Sequence, residues 1–114
     1  MHNRIFTPVI KISGKKEVNP EDVVFLKADI NYTEVVLQDG ERMIVSKTLK
    51  RLEKSFLPFS FFRTHKSFMV NLNYVTGYHV HEEMIVKLHN DASVSLSRRR
   101  KDEFLKLYKK KKLN

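Results

Sequence analysis

Apolar residues along this chain fall into short runs bounded by turn residues, a pattern of strands more than of helices. Val23-Val24-Phe25-Leu26 is continuously apolar, as a buried strand is. Residues 32–37 are rich in β-branched side chains and lead into Gln38-Asp39-Gly40-Glu41. Asp39-Gly40 there is a hairpin signal, and residues 42–45 form the returning strand. Residues 84–88 and 94–96 predict two further strands, separated by the turn-like His89-Asn90-Asp91-Ala92. Two segments change to helical spacing. Ser46 is placed to cap a helix with Leu49, Leu52 and Phe56 on one face, closed by Pro58. Phe104, Leu105 and Tyr108 form a narrow apolar stripe opposite Lys and Arg. The predicted fold is mostly β: short antiparallel strands in a compact unit with one or two short helices, including a C-terminal amphipathic helix.

Residues 58–75 depart from these simple patterns. The stretch is dense in aromatic side chains yet carries Arg63, His65 and Lys66 in its middle. One uninterrupted strand would put Lys66 on the same face as Phe68 and Val70, a charge among apolar neighbours. A turn at His65-Lys66-Ser67 removes the conflict and leaves Lys66 exposed at its tip.

The length of 114 residues suits one domain, with residues 1–7 and 109–114 expected to be loosely ordered ends. Hydrophobic side chains make up 41% and charged ones 31%, a globular balance. The absence of cysteine excludes a disulfide framework, a thiol nucleophile and any Cys-ligated metal. No apolar run has the length of a transmembrane helix, and the N-terminus lacks the apolar core of a signal peptide, so a cytoplasmic location is expected. The net charge of +9 is unevenly spread. Residues 98–112 hold nine basic and two acidic side chains, against thirteen basic and eleven acidic in the rest of the chain. The excess points to a polyanion, but charge alone does not separate DNA, RNA and a membrane surface, nor these from a solvated helix face.

The central segment narrows the choice. Phe61-Phe62-Arg63-Thr64-His65-Lys66-Ser67-Phe68-Met69-Val70-Asn71 resembles the signature of LytTR DNA-binding domains, the output domains of many bacterial response regulators. Asn31-Tyr32-Thr33, the hairpin at Asp39-Gly40 and a helix starting near Thr48-Leu49 agree with the family upstream. Downstream, Val94-Ser95-Leu96-Ser97-Arg98-Arg99 is similar to the family's last strand and its step into a closing helix. The resemblance spans residues 8–108. It implies sequence-specific binding to double-stranded DNA, at direct repeats, by loops that enter successive major grooves. The contact regions it implies are Asn31 and Tyr32, Lys66, and Arg98 and Arg99. Tyr32 and Lys66 stand where some members carry other residues, which bears on the partner at each. Two contexts fit the resemblance: an output domain whose N-terminal receiver domain is a partner outside this chain, in which case the chain by itself is expected to be a monomer, or a stand-alone regulator.

The residue types suit these roles. Lys66 is a point-charge donor for guanine O6 and N7 or for a phosphate, and Arg98 and Arg99 can form bidentate contacts. Asn31 and Tyr32 can donate to phosphates. Arg63 is expected to form an ion pair, and His65 and Asn71 to satisfy backbone groups at turns. Neither an enzyme nor a cofactor is expected: the acidic residues form no paired motif, and there is no nucleophile elbow and no Gly-rich phosphate loop. His79 and His81 would share a strand face, but no third ligand has a metal-site spacing, so no metal is expected. Two other readings remain. One is RNA or single-stranded nucleic acid stacked on Phe61, Phe62 and Phe68. The other is a membrane surface held by residues 109–112, and the prediction is against a membrane partner.

Overall fold

The structure is a computed structural model that describes residues 7–113. It consists of ten short strands and two helices: β1 (Ile10–Ser13), β2 (Lys16–Val18), β3 (Val23–Ala28), β4 (Thr33–Leu37), β5 (Arg42–Val45), α1 (Leu49–Phe56), β6 (Phe61–His65), β7 (Phe68–Asn71), β8 (Val75–His79), β9 (Ile85–Leu88), β10 (Ser93–Ser95) and α2 (Lys101–Lys112). The strands form a five-stranded sheet in the order β5-β4-β3-β7-β6, a three-stranded sheet β10-β9-β8 and the hairpin β1-β2. Every strand pair is antiparallel.

The central sheet is covered on both faces, which explains why its strands read as apolar runs and not as alternations. Leu26, Val35, Phe61 and Met69 face a core shared with α1 and the β1-β2 hairpin. Their chain neighbours Phe25, Val36, Phe62 and Val70 face a second core, shared with the three-stranded sheet and α2. The continuous run in β3 contains a bulge: Val23 pairs with Leu37 and Phe25 with Val36. The extra residue turns both Val24 and Phe25 into the second core, while Val23 stays in the first.

Local signals place several elements where the pattern predicts them. Gly40 turns the β4-β5 hairpin with a φ of +93°, a conformation glycine adopts without a steric penalty. The turn between β6 and β7 contains Lys66, as the conflict of charge and parity requires. Asn71 is buried and structural. Its Nδ2 donates to the carbonyls of Pro20 (3.3 Å) and Val23 (3.0 Å), and its Oδ1 accepts from the Asn73 amide at 2.9 Å.

Other details differ from the sequence reading. Thr48, not Ser46, caps α1, its hydroxyl accepting from the Arg51 amide at 3.3 Å. The Thr33 hydroxyl donates to the Lys47 carbonyl at 2.8 Å, which ties residue 47 to β4 and delays the helix start. β1, β2 and β8 were not marked by the apolar pattern. β1 alternates buried and exposed residues within only four positions, and β8 carries Gly77 and polar side chains on a sheet edge. α2 continues through Lys112, so residues 109–112, expected in a loose end, are helical. Residues 1–6 and 114 of the expected ends lie outside the described residues.

Candidate nucleic-acid interface

Sheet register brings separate chain segments to one end of the central sheet. Ala28 pairs with Thr33 across the β3-β4 turn, and Thr33 pairs with Val45 at the exit of β5. Lys27 pairs with Phe68, so β7 begins at this same end, next to the β6-β7 turn. The Ala28 amide donates to the Ser67 carbonyl at 2.8 Å and ties these two turns together. The chain after β10 is drawn to the same place. The Ser97 amide donates to the Thr64 carbonyl at 2.8 Å, and Arg100 Nη1 donates to the Arg63 carbonyl at 3.2 Å.

All five predicted contact residues, Asn31, Tyr32, Lys66, Arg98 and Arg99, are exposed. Lys66 and Arg99 line one concavity of about 230 Å³ with His65, Ser97 and Arg100. Arg98, in the short 3-10 turn Arg98–Arg100 that opens α2, does not line it. Arg100 was not singled out by the sequence: three adjacent arginines offer no signal for which one turns inward. In the structure Arg100 is half-buried and strapped to β6, and Arg99 beside it is free to solvent.

The Lys66 turn is braced from inside. Arg63 Nη1 lies 2.7 Å from Glu53 Oε1 on α1, an ion pair with both side chains mostly covered. The same guanidinium donates through Nε to the His65 carbonyl at 3.0 Å and through Nη2 to the Lys66 carbonyl. His65 Nδ1 accepts from the Ser67 amide at 3.0 Å. Arg63 and His65 thus take the ion-pair and turn-capping roles the sequence suggests, and Lys66 at the tip holds no hydrogen bond through its own ammonium among the described residues.

The β3-β4 turn is fixed differently. The Asp29 amide donates to the Tyr32 carbonyl at 2.8 Å, and Asp29 Oδ1 accepts from the Ile30 amide at 2.7 Å. That amide, and after it the Tyr32 hydroxyl, hold the Asp29 carboxyl below its ordinary pKa. The hydrogen bond to Asp29 in turn raises the Tyr32 phenol.

Among the described residues, the hydroxyls of Thr64 and Ser97 near the concavity are buried without a hydrogen bond. Such groups are uncommon in folded proteins and call for an explanation. Phe61 and Phe62 are only 4% and 5% exposed, and Phe68 is half-buried against Phe25 and His65. No stacking platform for single-stranded bases exists at these rings. His79 and His81 are exposed, and His81 lies beyond the end of β8, so the two do not share a strand face.

With this geometry in place, comparison with known proteins identifies the family. Residues 14–109 match the LytTr DNA-binding domain. The chain belongs to the LytTR family of DNA-binding domains. A similar solved structure is described as the LytTr DNA-binding domain of a methyl-accepting/DNA response regulator from Bacillus cereus. It aligns with a TM-score of 0.73 at 24% identity, covering 87% of this chain and 94% of that one. No curated protein matches the chain. As a LytTR domain the protein binds DNA, and the mostly-β fold with two helices is that of the family. No helix among the described residues is long and apolar enough to cross a membrane.

Proposed function

We propose that this LytTR domain binds double-stranded DNA at specific sequences, using turns instead of a recognition helix. The carrying observation is the convergence of Lys66 and Arg99 on one concavity beside the Asn31-Tyr32 turn. Exposed cations from distant parts of the chain, on a rigid backbone frame, suit a surface that must register on a duplex before reading it. Arg99 and the free donors of the Arg100 guanidinium suit a backbone phosphate, which accepts several donors at once. Lys66, at the tip of its turn, is positioned to reach a base edge in the major groove. Asn31 and Tyr32 take the corresponding place on the neighbouring turn, which is closed by the Ile30 amide on Asp29 Oδ1 and by the Asp29 amide on the Tyr32 carbonyl.

In this reading the domain is the output part of a cytoplasmic transcriptional regulator that recognises direct repeats. An N-terminal receiver domain supplies its regulatory input and its dimerisation, and the isolated domain is a monomer. The description of the Bacillus cereus structure as part of a response regulator supports that context. Selection of bound duplexes from a random library is the test, with a short repeated motif as the expected result. Log affinity should fall linearly with log salt at about −0.9 per phosphate neutralised, with roughly four to six phosphates involved. Recovery of no common motif, or a flat salt response, would overturn the reading.

A further inference from the structure

The β3-β4 turn carries one side chain for which neither the fold nor phosphate binding has a use. Ile30 is 90% exposed, more than any other large apolar side chain among the described residues. Turn tips favour glycine, asparagine, aspartate or serine, whose side chains assist the turn; a β-branched aliphatic residue does not. Its position is nevertheless fixed on both sides. The Ile30 amide donates to Asp29 Oδ1 at 2.7 Å, and the turn closes through the Asp29 amide and the Tyr32 carbonyl at 2.8 Å. The Ala28–Ser67 hydrogen bond sets this turn beside that of Lys66. Ile30 therefore projects from the same end of the sheet as the residues proposed to read DNA.

An aliphatic side chain gains only from an apolar partner. The base edges of the major groove are polar except for the C5 methyl of thymine. We infer that Ile30 packs against a thymine methyl and so determines sequence preference at one position of each site. The inference rests on the duplex-reading function proposed above.

The test uses the full chain and a duplex recovered from the selection, with deoxyuridine replacing each thymidine in turn. That exchange keeps the base pair and removes only the methyl group. At one position per site the wild type should bind about fourfold more weakly, the equivalent of one buried methyl group. Ile30→Ala should bind the thymine and uracil duplexes equally, and Ile30→Val should retain the dependence. Ile30→Ala should melt as the wild type does, because so exposed a side chain contributes little to the core. A wild type that prefers its site yet ignores every replacement overturns the inference and leaves the duplex-reading function standing. So does an Ile30→Ala variant that still discriminates, or one that weakens self-association in place of methyl dependence. Failure of the wild type to prefer any duplex overturns both.

Discussion

The two ends of α2 carry similar charge and sit in different surroundings. At its start, Arg98, Arg99 and Arg100 are strapped to the end of β6 by the Ser97 and Arg100 hydrogen bonds, beside Lys66. At its finish, Lys110 and Lys111 line a concavity with Leu57, Ser60, Phe61 and Leu72, at the opposite end of β6. Lys112 Nζ lies 5.7 Å from the Tyr108 ring centre, a cation held over its own helix. A twelve-residue helix separates the two groups by ~18 Å. The basic segment 98–112 is thus two sites in space. One is framed by backbone hydrogen bonds, as the proposed reading surface requires; in the other, lysines rest against apolar and aromatic side chains with no hydrogen-bonded frame among the described residues, and the proposed function gives them attraction alone.

The contrast between the two ends depends most on the anchor of the helix. Phe104 is fully buried, packed against Phe62 and Tyr78 and stacked on Tyr108. Phe104→Ala should destabilise the domain by about 3–5 kcal/mol in denaturant unfolding. A loss below about 1 kcal/mol would mean that α2 is not held to the second core and that its two ends have no fixed places.

Next in size is the brace beneath the Lys66 turn. Arg63→Ala removes a charged partner from Glu53 and from two turn carbonyls, and should cost about 1.5–3 kcal/mol of stability. It should also weaken binding to the selected duplex, while the exchange protection of amides in α2 beyond Tyr108 stays unchanged. Equal loss of protection at both ends would remove the distinction.

The reading and attracting roles separate in binding measurements on two duplexes. Lys66→Ala should weaken the preferred duplex more than a scrambled one, by about 1–3 kcal/mol if the lysine binds a base. Its thermal melt should shift little, since an exposed turn tip has a stability effect within about 0.5 kcal/mol. Equal weakening on both duplexes would make Lys66 a phosphate-binding residue and move base reading to Arg99 or the Asn31 turn. The smallest effect is expected from truncation after Tyr108. Every duplex should weaken by a similar factor, with the salt slope reduced by about 0.9 for each phosphate no longer neutralised. A selective effect on the preferred duplex would place the far lysines in the reading surface.

Much of the fold was legible because burial on both faces leaves a strong mark. The apolar run of β3, the Asp39-Gly40 hairpin and the turn at Lys66 each follow from a local conflict or preference. The α1 cap was misplaced by two residues because serine is locally the better cap than threonine; the long-range Thr33–Lys47 hydrogen bond overrides that preference. β1, β2 and β8 escaped notice because three to five residues, some polar, give too little periodicity to separate strand from loop.

The candidate site was legible to a different degree. Asn31, Tyr32, Lys66, Arg98 and Arg99 came from a motif resemblance, and all five are exposed. Their relative placement was not readable. Sequence alone determined that this chain makes a small β-rich LytTR domain with cations at turns, because turn chemistry, apolar spacing and the central motif are local properties. Only the tertiary structure decided that Lys66 shares a concavity with Arg99 and not with Arg98, that Arg100 is a strap, and that the far lysines lie at the other end of the helix. Those facts depend on antiparallel register and on hydrogen bonds between segments some thirty residues or more apart, such as Ser97 with Thr64 and Ala28 with Ser67. A chain encodes such pairings only through the packing of the whole domain.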